Sequence, residues 1–208
     1  MWAERSRSAG APQPEPSEIH TRHSLGLEQF FTCIKGEAGL TLLDLGGANQ
    51  DNVDFITQLG HKLYTQDLAR AARQSASLES PPFHAAQIEA FLDENLGFGD
   101  GHFDGALVWD TLESLDGALL AATVERLRRI VKPRGYLFTI FHTQEKSDTA
   151  PLYGFRIRDA RTLLLSERGR QKRVHVFNNR NLERLFQGFD SVKFFLTRDH
   201  LREVIVKR

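Results

Sequence analysis

The chain has 208 residues, of which 40% are hydrophobic and 26% are charged, as in an ordinary globular protein. This length supports one substantial hydrophobic core and is short for two. The 27 Lys and Arg residues balance the 27 Asp and Glu residues, so no overall field attracts nucleic acid or an anionic membrane, and a lone cysteine excludes an internal disulfide framework.

The amino-terminal segment has a composition that opposes folding. Residues 1–18 are rich in Pro, Ser, Glu and Arg and lack the apolar centre of a signal peptide, so we expect disorder there. No stretch approaches the roughly 18 apolar residues that span a bilayer. We therefore expect a cytoplasmic protein in which residues 19–208 form a single domain.

The first part of that domain alternates between apolar runs and helical patterns. "SLGLEQFFTCIK" has helical spacing, and Cys33 within it is interpreted as a core residue rather than a reactive thiol. "LTLLDL" predicts a buried parallel strand, residues 53–59 predict a helix that ends at Gly60, and "HKLYTQDL" predicts a strand ending near Asp67. Strand, glycine turn, helix and strand in this order indicate a βαβ unit.

The middle of the chain continues the alternation with one gap. "HAAQIEAFLDENL" predicts a helix, and we find no convincing strand between Leu68 and Gly101. "FDGALVWD" predicts a buried strand, "LDGALLAATVERLRRIV" a helix stopped by Pro133, and "GYLFTIFH" the next strand. We therefore expect a sheet without its third strand.

The last third departs from the alternation. Within about 143–177, "RTLLL" and "RVHVF" flank "SERGRQK" and predict a hairpin with Gly169 in its loop. "NNRNLERLFQGF" predicts a short helix with an asparagine cap. "SVKFFL" and "REVIVK" are separated by "TRDHL", which is too short for a helical crossover, so residues 191–207 should form an antiparallel hairpin.

Together these elements predict an α/β fold: a doubly wound, mostly parallel sheet with helices on both faces and an antiparallel hairpin at the carboxyl end. Dinucleotide dehydrogenases usually finish with parallel strands, whereas class I S-adenosylmethionine-dependent methyltransferases finish with this reversed hairpin. The chain resembles that methyltransferase family over about residues 25–208, through five segments in the family's order. They are "LLDLGGANQ", "LYTQDL", "FGDGHFDGALVWDTLESL", "LRRIVKPRGYLFTIF" and "LERLFQGFDSVKFFLTRDHLREVIVKR".

The resemblance implies a site for S-adenosyl-L-methionine at the first glycine turn. Gly46 and Gly47 let the backbone pass close to the methionine portion of the cofactor. Asp44 would accept hydrogen bonds from loop amides or contact the cofactor's ammonium group. The family's later glycines fall at Ala48 and Gln50, where glutamine adds bulk, and the alternative is a plain turn before a capped helix.

The second strand supplies the expected ribose ligand. Asp67, with Leu68 beside it, matches the family's acidic position, and two carboxylate oxygens suit two ribose hydroxyls. The alternative is that Asp67 caps the helix begun by "LARAAR". The family's contact to the adenine amine comes from the third strand, which is missing here.

Two further strand ends carry candidate catalytic side chains. The resemblance places Trp109 and Asp110 beneath the transferred methyl group, where Trp109 would pack on the adenine, face the acceptor, or simply fill the core. His142 ends the next strand and is a candidate general base, with Asp110 as a second candidate catalytic residue. No spacing typical of a metal site is present.

The segment 153–178 is strongly basic, with seven cations against two anions. These charges either blunt an exposed strand edge or hold an anionic substrate over the cleft, with Arg156, Arg158 and Arg173 as candidates. Nucleic acid is not the expected partner, because base-stacking aromatic residues do not interleave with the arginines.

The sequence thus predicts a methyltransferase that acts on an unidentified small molecule by direct displacement at the sulfonium methyl, aided by proximity and orientation. The alternative is a non-catalytic methyltransferase-like protein that keeps the fold as a binding or interaction module. Ala48, Gln50, the missing strand and Arg134 in "KPRG" favour that alternative.

Overall fold

The computed structural model describes residues 19–75, 84–143, 149–172, 175, 177–197 and 199–208. Strands form two sheets, and helices flank the larger one. The larger sheet contains β2 (Thr41–Asp44), β3 (Lys62–Thr65), β4 (Phe103–Trp109), β5 (Val131–His142), β8 (Ser191–Leu196) and β9 (Leu201–Lys207). The smaller sheet contains β1 (Ile19–His23), β6 (Thr149–Asp159) and β7 (Thr162–Lys172). The α-helices are α1 (Leu25–Cys33), α2 (Gln50–Gln58), α3 (Leu68–Ser75), α4 (Ala85–Leu96), α5 (Gly117–Ile130) and α6 (Asn179–Leu185).

The larger sheet has the strand order β3-β2-β4-β5-β9-β8. Its first four strands are parallel, while β9 runs antiparallel to both β5 and β8. This confirms the predicted doubly wound sheet and its closing antiparallel hairpin. Between β3 and β4 the described residues form α3 and α4, so within that part of the chain no third strand extends the sheet.

Both faces of the larger sheet are covered by apolar side chains, as a parallel sheet requires. Adjacent residues of β2 point to opposite faces: Leu43 belongs to one apolar cluster with Phe103 and Leu137, and Leu42 belongs to the other with Phe138. The ends of β2, β4 and β5 therefore emerge from a buried scaffold, whereas β3 is an edge strand whose four residues are exposed or half-buried.

The hairpin predicted around Gly169 is wrong. Residues 162–172 form one continuous strand, β7, whose partner is β6, and the chain reverses at residues 160–161. We did not recognise β6 because Pro151 and Gly154 interrupt its pattern, and both residues are weak strand formers. β1 pairs with the other edge of β7 and completes the smaller sheet.

Two contacts fix the smaller sheet to the larger one. In β1, Arg22 is buried and pairs with Glu203 of β9, which is fully buried, and with Asp199. In β6, the main chain of Phe155 and Ile157 is bound by the side-chain amide of Asn52 from α2, which donates to Phe155 O (3.2 Å) and accepts from Ile157 N (2.7 Å). The smaller sheet thereby lies close to the carboxyl ends of β2 and β4.

Candidate functional site

The glycine turn after β2 is built around a buried carboxylate. Asp44 is fully buried and accepts three hydrogen bonds: Oδ1 from Gly46 N (2.8 Å) and Trp109 Nε1 (2.6 Å), and Oδ2 from Asn52 Nδ2 (3.0 Å). Burial raises the pKa of Asp44, and the hydrogen bonds from Trp109, Gly46 and Asn52 oppose that effect. Of the two contacts expected for Asp44, the structure contains the one to a loop amide.

The two glycines of the turn are required for different reasons. A Cβ on Gly46 would lie 2.7 Å from Cδ1 of Trp109, so a side chain at this position would clash with the indole. Gly47 has a φ of +84°, a conformation that other residues rarely adopt, and a Cβ there would lie 3.2 Å from Cβ of Asp67. The turn therefore brings bare backbone against Asp67.

Of the two roles that the sequence left open for Asp67, the structure contains the helix cap. Its Oδ1 accepts from Arg70 N at 3.0 Å and so caps α3. Its backbone pairs with Gly46 in an isolated β-bridge, and its Oδ2 accepts no hydrogen bond from the residues that the structure describes. One carboxylate oxygen is therefore structural and the other is available at the glycine turn.

The residues that replace the family's later glycines do not crowd the turn. Ala48 is exposed, and Gln50 is the first residue of α2, where its amide donates to Asp54 Oδ1 at 2.6 Å. The helix is capped by Asn49, whose Oδ1 accepts from Asp51 N at 3.0 Å. Neither Ala48 nor Gln50 contributes to the wall of the cavity beside the turn.

That cavity has a volume of about 180 Å³ and lies between the strand ends of the larger sheet and strands β6 and β7. It brings together three of the predicted residues, Gly46, Asp67 and Asp110. Its wall consists of Leu45, Gly46, Asp67, Ala69, Arg73, Asp110, Thr111, Ser114, Leu152, Tyr153, Phe155 and Arg168.

Two predicted cofactor residues lie instead in the core. Leu68 is fully buried and Trp109 is 1% exposed, and neither lines the cavity. Trp109 adopts a φ of +54°, and its indole stacks on Phe155 with ring centroids 5.2 Å apart and donates to Asp44. The indole thus supports the glycine turn from beneath, which corresponds to the core alternative in the sequence analysis.

Asp110 has the most perturbed carboxylate of the cavity. It is partly exposed, but its Oδ2 is buried and has no hydrogen-bond partner among the described residues. Burial, followed by repulsion from Glu113, raises the pKa of Asp110 to about 7, while the charge of His142 and the backbone amides of Asp110 and Tyr153 act in the opposite direction. A carboxyl group that titrates near neutral pH is suited to proton transfer.

His142 binds the carboxylate of Glu113 through both its backbone and its ring. Its backbone N donates to Glu113 Oε1 at 2.8 Å, its ring Nδ1 pairs with Glu113 Oε2, and both residues are 6% exposed. The imidazole stacks on Tyr153 (5.8 Å between centroids) and lines a separate cavity of about 70 Å³. Tyr153 lines both cavities, so it stands between His142 and the cavity that contains Asp110.

Two of the three basic residues selected from the sequence, Arg156 and Arg158, do not line the cavity that contains Asp110. Arg156 lies 3.6 Å from the carboxylate of Asp51, Arg158 is exposed, and Arg173 lies outside the described residues. The cations that do line the cavity are Arg73 and Arg168, which the sequence analysis did not select. The sequence signal that could have pointed to Arg168 is Gly169 beside it, because a glycine within a strand often marks a bulge. That signal is informative only when β6 is known to be the partner strand of β7.

A larger cavity, of about 420 Å³, lies between α5 and α6. Leu120, Phe177, Asn181 and Leu185 contribute to its wall, which contains no carboxylate and no residue of the glycine turn. We assign the candidate site to the smaller cavity because its chemistry, not its volume, matches the strand ends at which ligands bind in open α/β sheets.

Comparison with known proteins agrees with this geometry. A family model described as "Methyltransferase domain" matches residues 11–191. The chain is 26% identical, over 149 residues, to the ubiquinone biosynthesis O-methyltransferase of Alkalilimnicola ehrlichii. That alignment covers 68% of this chain and only 57% of the relative's length.

Solved structures show the same fold at low identity. A methyltransferase dependent on S-adenosylmethionine from Archaeoglobus fulgidus superposes with a TM-score of 0.52 at 14% identity, covering 88% of this chain and 91% of that one. The 1,6-didemethyltoxoflavin-N1-methyltransferase of Burkholderia thailandensis, solved with 1,6-didemethyltoxoflavin and S-adenosylhomocysteine, has a TM-score of 0.50 at 14% identity. The superposition covers 88% of this chain and 76% of that one.

The larger sheet and its closing hairpin therefore have the fold of class I methyltransferases. The chain belongs to the methyltransferase domain family. No helix within the described ranges is long and apolar enough to cross a membrane.

The hydrogen-bonding groups of the cavity fit S-adenosylmethionine, the cofactor expected from the sequence, whereas the volume of the cavity is small. The free Oδ2 of Asp67 and the unpartnered Oδ2 of Asp110 are acceptors suited to hydroxyl groups and to a cation, and Gly46 leaves the backbone open beside them. The cavity of about 180 Å³ is below the roughly 300–1,000 Å³ of most ligand sites.

Proposed function

We propose that the protein transfers a methyl group from S-adenosylmethionine to a small-molecule acceptor. The observation that carries this proposal is the convergence of Gly46, Asp67 and Asp110 on one cavity, from the ends of three neighbouring parallel strands. The family match and the shared fold support it, and the O-methyltransferase relative makes an oxygen acceptor the first to test.

The cofactor supplies, when bound, a methyl group activated by the sulfonium. In our proposal Asp67 Oδ2 accepts a hydrogen bond from the ribose, and Gly46 and Gly47 allow close approach of the methionine portion. Ala48 and Leu68 contribute at most main-chain atoms, because Ala48 lies outside the cavity wall and Leu68 is fully buried.

Asp110 is the residue we propose to accept a proton from the acceptor. It lines the cavity, its Oδ2 has no internal partner among the described residues, and its pKa of about 7 leaves it partly ionised at neutral pH. His142 acts through Glu113, because it fixes the carboxylate whose repulsion raises the pKa of Asp110. We thus assign His142 a positioning role in place of direct proton transfer.

The test is calorimetric titration with S-adenosylhomocysteine. The substitution Asp67→Asn keeps an oxygen to cap α3 but replaces one ribose-binding oxygen with an amide, so affinity should fall about tenfold or more. Asp54→Asn is the matched control, since this exposed carboxylate lies on α2 away from the cavity. Equal affinity of Asp67→Asn and wild type would contradict the assigned role of Asp67.

The second candidate function is a non-catalytic, methyltransferase-like binding module. The small volume of the cavity and the wall contributed by β6 and β7 favour this alternative. If the wild-type protein releases no heat with millimolar S-adenosylhomocysteine, the enzyme proposal fails and the non-catalytic function takes its place.

A further inference from the structure

Strand β7 contains a β-bulge at Arg168. Leu152 of β6 pairs with Gly169, whereas the next residue, Tyr153, pairs with Glu167, so Arg168 is an extra residue without a partner on β6. Gly169 has a φ of +138°, which is accessible to glycine and rarely to other residues. Bulges of this kind redirect a side chain, and they are common beside active sites.

The redirected side chain crosses β6 at Gly154. A Cβ on Gly154 would lie 2.3 Å from Nε of Arg168 and 2.6 Å from its Nη2, so the guanidinium occupies the space of the missing side chain. This path brings Arg168 to the wall of the cavity that also contains Gly46, Asp67 and Asp110. The bulge and Gly154 are two independent features that give the guanidinium this position.

Arg168 makes no hydrogen bond or ion pair with the residues that the structure describes. The neighbouring arginine of the same strand differs, since Arg170 donates to Thr149 and lies 3.7 Å from Glu167. Arg73 lines the cavity with Arg168 and is also without an ion pair in the described part of the chain. Two cations thus border a cavity whose acidic residues do not neutralise them.

We propose that Arg168 binds a carboxylate in this cavity. A guanidinium binds a carboxylate through two parallel hydrogen bonds, and the aromatic walls at Tyr153 and Phe155 suit a planar organic acid. The carboxylate has two sources, the methyl acceptor or the amino-acid end of S-adenosylmethionine. Both sources rest on the proposed function, but binding of a simple carboxylate at Arg168 is testable without it.

The experiment measures binding of two matched pairs of probes by calorimetry. Benzoate and its neutral isostere benzamide test an acid of single-ring size, and S-adenosylhomocysteine and 5′-methylthioadenosine differ in the amino-acid end. The variants are Arg168→Ala, Arg168→Lys and Gly154→Ala. The last of these keeps the guanidinium of Arg168 but displaces it, because the added Cβ would occupy its position. Arg170→Ala is the control, because it removes the same charge from the same strand outside the cavity wall.

If the carboxylate belongs to the acceptor, benzoate affinity should fall about tenfold to a hundredfold in Arg168→Ala and in Gly154→Ala. Arg168→Lys should recover only part of it, because lysine cannot bind bidentately, and benzamide binding and the Arg170→Ala control should be unchanged. If the carboxylate belongs to the cofactor, the same variants should weaken S-adenosylhomocysteine and leave 5′-methylthioadenosine unaffected.

The proposal is overturned if neither benzoate nor S-adenosylhomocysteine depends on Arg168 more than on Arg170, or if neither carboxylate binds the wild-type protein. Loss of S-adenosylhomocysteine binding in the wild type, with benzoate binding still dependent on Arg168, would remove the proposed function and keep the carboxylate site. Intact S-adenosylhomocysteine binding, with neither S-adenosylhomocysteine nor benzoate dependent on Arg168, would keep the proposed function and remove the carboxylate site.

Discussion

Asp44 and Asp110 stand at the carboxyl ends of neighbouring parallel strands, β2 and β4, yet their surroundings differ. Asp44 is fully buried and accepts hydrogen bonds from an indole, a loop amide and a side-chain amide. Asp110 is partly exposed to the cavity, and its buried Oδ2 has no partner among the described residues. Desolvation raises the pKa of both carboxyl groups.

The number of internal donors distinguishes Asp44, a structural carboxylate, from Asp110, which we propose to be functional. Buried polar groups are nearly always hydrogen-bonded, so each exception needs a reason. At Asp44 the donors join the glycine turn, Trp109 and, through Asn52, strand β6 into one unit. At Asp110 the missing donor coincides with a cavity and a pKa of about 7, which is the combination expected at a reactive site.

The largest effect should follow from Asp44→Asn. An asparagine has one acceptor oxygen, so the donor now facing its amide would be left buried and unpaired, and unfolding free energy should fall by about 3 kcal/mol. Asn52 cannot turn to compensate, because its other contacts bind β6. Urea unfolding at neutral pH measures the effect, and a loss below about 1 kcal/mol would contradict the structural role of Asp44.

Most of the larger sheet could be predicted because its determinants are local. Short apolar runs between helical patterns identify its parallel strands, and the five residues of "TRDHL" force the last two strands to be antiparallel. The smaller sheet could not be predicted, because β1 pairs with a strand more than 130 residues away and β6 contains Pro151 and Gly154. Pairing over such a distance leaves no local pattern.

The candidate site, like the fold, contains residues that the sequence predicts and residues that it does not. Gly46, Asp67 and Asp110 were predicted because the chain resembles class I methyltransferases at these strand ends, and the structure brings these three residues together around one cavity. The inward orientation of Trp109 depends on its φ of +54°, which no residue pattern reveals. The contribution of Arg168 depends on pairing between β6 and β7, so it became visible only when the register was known.

The substitution Asp110→Asn should raise the unfolding free energy, whereas Asp44→Asn should lower it. The folded state raises the pKa of Asp110 from 3.8 to about 7, so stability that is present while the group is protonated is lost as pH rises through this range. Asp110→Asn cannot ionise and should be more stable than wild type by about 1–2 kcal/mol at about pH 8, a value discounted for partial exposure. The gain should disappear as pH falls below 3.8, where the carboxyl group becomes protonated in the unfolded state as well.

Urea unfolding of Asp110→Asn and wild type across that pH range measures this difference, with Asp44→Asn as the matched substitution at the neighbouring strand end. A destabilised Asp110→Asn protein at high pH would show that Asp110 is held by contacts like those of Asp44. That result would remove the distinction between the two carboxylates.

The smallest effect should be a shift of the Asp110 titration in Glu113→Gln. Glu113 is the charged group whose repulsion raises the pKa of Asp110, and glutamine removes that charge while its oxygen can still accept from His142 N. The pKa of Asp110 should therefore move below about 7. Carboxyl-carbon NMR titration follows Asp110 directly, and Glu125→Gln on α5 serves as the control because Glu125 pairs with Arg128 instead. An unchanged Asp110 titration in Glu113→Gln would mean that burial alone sets its pKa, and His142 would then have no route to Asp110 through Glu113.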